Sequence, residues 1–76
     1  MESFLRFFDQ QRDNNGYALT VYYSSIVDWT VQIGFKTNHA RHGENIVYVQ
    51  HCDIDYAFAK AETDFKDWLL ENQGGY

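Results

Sequence analysis

The chain has a single cysteine, no proline and only six lysine and arginine residues in 76 positions. With Cys52 alone, a disulfide within the chain is impossible, and one unpaired thiol points to a reducing compartment. No apolar run approaches the ~20 residues that span a bilayer. The opening residues, Met1 to Phe8, show neither a basic flank nor a small-residue cleavage site, so no signal peptide is read there and the cytoplasm is the expected location, with no membrane partner. Eleven acids against six bases leave a net charge of −5. That balance disfavours direct nucleic-acid binding, whose affinity comes from basic groups releasing counterions from phosphates. There is no internal repeat, low-complexity segment or interdomain linker, so residues 1–76 are read as a single domain.

What the chain has in abundance is aromatic surface: six Tyr, six Phe and two Trp. Each can bury roughly 150–250 Å². So short a chain has a thin stability margin, and this load is how it could fold without a disulfide or a metal.

Hydrophobic periodicity divides the chain into five segments. Phe4, Leu5, Phe7 and Phe8 fall at helical spacing within residues 3 to about 12, with Ser3 as the expected N-cap and Asn14-Asn15-Gly16 as the stop. Tyr17, Leu19, Val21 and Tyr23 then alternate with smaller or polar residues, and Trp29, Val31, Ile33 and Phe35 do the same after a short break. Two period-2 runs joined by five residues predict an antiparallel hairpin. Pairing Tyr23 with Trp29 places Val21 opposite Val31, Leu19 opposite Ile33 and Tyr17 opposite Phe35, all on one face. A polar loop leads to a third strand over residues 46–51. From Asp53 to about residue 72, Ile54, Phe58, Ala61, Phe65 and Trp68 form one helical stripe, and Asp53 is its expected cap. The expected fold is α+β: helix, three-stranded antiparallel meander, helix, with both helices on one face of the sheet. The other face is left open and carries Thr20, Tyr22, Thr30, Gln32, Tyr48 and Gln50.

This order of elements resembles the double-stranded-RNA-binding domain over almost the whole chain. That family grips phosphates with a lysine cluster opening its second helix. Here the corresponding stretch reads Cys52-Asp53-Ile54-Asp55-Tyr56-Ala57, with acids in place of lysines, so the resemblance implies the fold and not the RNA binding. In size, acidity, aromatic content and lack of proline the chain also resembles the small accessory proteins of bacteriophages and prophages. Some of those block host nucleases or transcription machinery by mimicking nucleic-acid charge, which implies an inhibitor.

His39, His42, His51 and Cys52 are potential zinc ligands, but their spacing matches no finger. The loop histidines and His51 lie at opposite ends of the third strand, ~20 Å apart at ~3.3 Å per residue. The expectation is therefore no metal and no cofactor, with surface histidines and a buried cysteine. Ser24-Ser25 sit in a turn, where hydroxyls bond local backbone. No glycine-rich phosphate loop is present, and a domain this small has little room for a pocket of ~300 Å³. No catalytic residue is identified, and the chain is read as a non-enzyme.

Charge is more informative. The last helix holds Asp53, Asp55, Glu62, Asp64, Asp67 and Glu71 against Lys60 and Lys66. Asp64, Asp67 and Glu71 fall on one flank, where like charges cost a few tenths of a kcal/mol per pair. With Tyr56 and Leu70 on the outward side, they form the expected contact set for a protein partner with a basic surface. The alternative is a homodimer, structural or assembly in role, built through Tyr22, Gln32 and Tyr48 of the open sheet face.

Metal independence is directly testable by elemental analysis and by melting with and without a chelator. The melting temperature should not move. Stoichiometric zinc, or a large fall with chelator, would overturn the reading.

Overall fold

The computed structural model describes all residues except 1, 27, 38, 39 and 42, and leaves the side chains of 2 and 12–15 undescribed. His39 and His42 thus lie outside the described residues. The elements run α1 (Glu2–Asn15), β1 (Tyr17–Ser24), β2 (Asp28–Phe35), β3 (Asn45–His51) and α2 (Ile54–Gln73). The strands form one antiparallel sheet in the order β1-β2-β3.

The hairpin register is the expected one: Tyr23 pairs with Trp29, Val21 with Val31, Leu19 with Ile33 and Tyr17 with Phe35. Its turn closes with Asp28 at φ 58°, a left-handed conformation that aspartate tolerates better than most residues. The Ile26 N–H donates to Ser24 Oγ at 3.1 Å inside the same turn. Between β2 and β3 the ladder slips. Ile33 faces Val47 while Gly34 faces Asn45, so Ile46 is an extra residue on β3. A side chain at position 34 would place its Cβ 3.1 Å from the Glu44 carbonyl oxygen, and glycine lets that close approach stand.

α2 is capped at both ends. Asp53 Oδ1 accepts from the N–H groups of Asp55 (2.8 Å) and Tyr56 (3.3 Å). At the other end Gly74 is left-handed, and the Gly75 N–H returns to the Leu69 carbonyl at 3.3 Å. α1 differs from expectation at both ends. It runs through Asn15, and Ser3 lies inside its first turn, where the Oγ donates to Glu62 of α2 at 3.0 Å instead of capping.

Both helices cover one face. The core is Phe4 and Phe8 of α1, Tyr17, Val31, Ile33, Phe35, Val47 and Val49 of the sheet, and Ala57, Phe58, Ala61, Phe65 and Leu69 of α2. Phe65 is its centre, with ring centroids 5.3 Å from Tyr17, 5.8 Å from Phe7 and 6.1 Å from Phe8. α2 lies over β3 and β2, because the two-residue connection Cys52-Asp53 folds it straight back onto the strand it leaves. Consequently Leu19 is only partly buried and Val21 is 37% exposed, although both occupy the covered face. The shared face is thus covered more fully over β2 and β3 than at the hairpin end of β1.

Truncating Phe65 to Ala should cost about 3–5 kcal/mol, as for other large buried aromatics. In a small domain with ~5–10 kcal/mol in total, chemical denaturation should find the variant close to unfolded in water. A loss under about 1 kcal/mol would show that the ring cluster does not hold the layers together.

Candidate functional site

At ~100° per residue, Tyr56, Thr63, Asp67 and Leu70 face directly away from the buried stripe of α2, with Lys60, Asp64 and Glu71 along one flank. Tyr56 and Leu70 are 52% and 55% exposed, so the helix presents two large half-exposed side chains on this face. The two lysines of α2 are engaged within the helix. Lys60 Nζ sits 3.1 Å from Asp64 Oδ2, and Lys66 Nζ 3.0 Å from Glu62 Oε2. Of the acids Asp64, Asp67 and Glu71, Asp64 is thus matched by Lys60, whereas no ion pair among the described residues involves Asp67 or Glu71.

Glu62 is held from two sides. It accepts from Lys66 and from Ser3 Oγ, and these hydrogen bonds hold its carboxyl below the ordinary glutamate range. Lys66 is correspondingly raised, chiefly through its hydrogen bond to Glu62. Its ammonium also lies 5.1 Å from the Phe7 ring centroid and 5.7 Å from that of Tyr76. This Ser3–Glu62–Lys66 arrangement ties α1 to α2 on the flank away from Asp67.

The open face of the sheet carries the second candidate set. Gln32 stands directly across from Tyr48, and Tyr22 lies beside Thr30 in the neighbouring register, so the three share one surface. Thr30 is fully buried on this face even though no helix covers it; its Oγ1 has no hydrogen-bond partner among the described residues. Gln32 Nε2 donates to Asn45 Oδ1 at 2.7 Å across the slipped part of the ladder. Next to this pair a groove of about 420 Å³ opens, lined by Ala18, Thr20, Gln32, Gly34, Lys36 and Asn45. The groove exceeds the ~300 Å³ for which so small a domain is expected to have little room. Thr37, Gly43 and Glu44, which follow β2 and carry no periodic signature, also line the groove.

Cys52 is exposed, not buried as expected. β3 ends at His51, so the two side chains are not forced to opposite faces, and the thiol Sγ lies 4.0 Å from His51 Nδ1. That nitrogen already accepts the Asp53 N–H at 2.9 Å, and its lone pair is therefore not free to take a proton from the thiol. The His51 ring stacks on Tyr56 with centroids 4.1 Å apart. Among the described residues no cluster of three or more His, Cys, Asp or Glu could hold a metal ion. No helix of the described residues is long and apolar enough to cross a membrane.

Tyr23 and Trp29, paired as expected, hold their rings 5.1 Å apart and tilted by 52°, and His51 pairs with Trp29 from the other side, so aromatic rings line the hairpin end of the covered face. At the opposite end Arg41 lies over Phe35 (5.1 Å) and Trp68 (5.9 Å) while bonding Glu44 at 2.8 and 3.0 Å. Residue 41 stands in a polar loop with no pattern to mark it. Comparison with protein-family models, with curated proteins and with solved structures finds no match to this chain.

Because the Glu62 carboxyl is lowered in the folded state, its stabilising contribution is complete above the ordinary glutamate range, roughly pH 4–5, and is lost as pH falls through the lowered folded value. The melting-temperature gap between wild type and Glu62→Gln should therefore be widest near neutrality and close on acidification. A gap that stays constant from neutral pH to pH ~3 would show that the carboxylate charge contributes nothing.

Proposed function

We propose that the chain is a non-enzymatic protein-interaction domain that docks the outward face of α2 on a basic surface of another protein. The observation that carries this reading is the pairing, on one helix face, of exposed Tyr56 and Leu70 with Asp67 and Glu71, acids that the helix's own lysines leave unmatched. An amphipathic tyrosine and a leucine supply contact area, and the acids supply attraction to a cationic groove. Stability does not account for the acids. Asp67 and Glu71 repel at i,i+4, and Glu71 lies at the negative end of the helix dipole.

The groove that best complements such a face is one that ordinarily holds nucleic acid, since it must be basic and open. This is the behaviour of the small phage-type inhibitors that the chain resembles in size and charge. Such a domain needs no metal, cofactor or catalytic group, only a rigid helix held by its sheet.

The test is capture from lysate with wild type and with the double variant Asp67→Asn, Glu71→Gln, followed by association kinetics with the recovered partner. Asp64 is left intact so that Lys60 is not released. The double variant should be as stable as wild type or better by a few tenths of a kcal/mol. Its association should slow by about tenfold at low salt and depend less on salt, and DNA or RNA should compete with the wild-type complex. Equal rates and equal salt dependence for the two proteins would remove the acidic face from the mechanism.

A further inference from the structure

The two edges of the sheet are not equivalent. β3 is interrupted by its extra residue, and α2 folds back over it. β1 pairs with β2 over all eight of its residues without interruption, and among the described residues no strand lies beside its other edge. Natural edge strands are commonly blunted by charge, proline or a bulge. Residues 14–27 contain neither a charged residue nor a proline, in a chain that is 22% charged. Exposure also rises along β1 on both faces towards the hairpin, through Val21 and Tyr22 to Tyr23 at 57% and Ile26 beyond it at 89%.

We propose that β1 pairs antiparallel with β1 of a second copy about a twofold axis, joining two three-stranded sheets into one of six strands. An open edge presents main-chain donors and acceptors at strand spacing, and another strand meets them all at once. The occupant is a second copy because the edge is self-complementary. An axis perpendicular to the sheet keeps covered-side residues with covered-side residues. Centred at Val21, it sets Val21 against Val21, Tyr23 against Leu19 and Tyr22 against Thr20 of the second copy. Charge favours the same solution. Two copies of net charge −5 repel overall, and a contact along residues 14–27 sets no charged side chain of that segment against its own copy. Val21, Tyr22, Tyr23 and Ile26 expose on the order of 400 Å² per copy. With the main-chain edges added, two copies reach the ~1,000 Å² that a specific interface requires.

Sedimentation equilibrium from micromolar to millimolar concentration tests the proposal on wild type, on Thr20→Lys/Tyr22→Lys, and on Tyr48→Glu. Wild type should be a dimer at the upper end. The double lysine variant, altered only at exposed positions, should keep its circular dichroism spectrum and weaken dimerisation at least tenfold. Tyr48→Glu alters the open face away from the β1 edge and should dimerise as wild type. A wild-type monomer throughout, a dimer indifferent to the lysines, or a dimer dissolved by Tyr48→Glu would each overturn the proposal. Should the lysine variant fail to fold, hydrogen exchange of the wild-type β1 amides decides. Alternate amides along the strand should gain protection as concentration rises, and no gain would overturn it.

Discussion

The ring of Phe65 is reached from three directions, by Phe7 and Phe8 of α1, by Tyr17 at the start of β1, and through its own backbone by α2. None of those pieces is stable alone. A helix of 14 residues is marginal in water and a bare hairpin little better. One buried ring shared among them makes each a condition for the others. That explains why the domain can dispense with a disulfide, and why its outward surfaces can depart from the best choices for stability.

How much of this was readable from residues depends on whether the determinant is periodic. Alternation of bulky and small residues defined the hairpin down to each pair, since a shift of one would have turned Val31 and Ile33 outward. The stripe from Ile54 to Trp68 marked the buried side of α2 for the same reason. Periodicity says which side of a sheet a residue occupies, though not how far the lid extends. Val21 shares the alternation of the buried residues, yet the sharp return from β3 keeps α2 away from it. Cys52 and Ser3 were misjudged for a related cause. Each lies next to an element boundary, where one residue's difference in the end of a strand or helix redirects the side chain.

The candidate surfaces were readable only in part. Tyr56 and Leu70 follow from helical geometry and are exposed as expected, and the acids share their face. That Lys60 takes up Asp64, and that Lys66 is turned to Glu62 beneath Phe7 and Tyr76, depends on rotamers and on α1 lying alongside. The residue-level pattern could not rank the three acids; the ion pairs do, and they leave Asp67 and Glu71 as the unmatched pair.

The two tryptophans stand at opposite ends of the covered face. Trp29 lies against Tyr23 and across from His51, while Trp68 packs on Tyr17 and Phe35 under the Arg41 guanidinium. Their intrinsic fluorescence is therefore a composite of two environments, one quenchable by a neighbouring imidazole and one screened by a cation. Emission followed during unfolding conflates fraying at the hairpin with melting of the core. Only a protein with one of the two indoles replaced reports either event by itself.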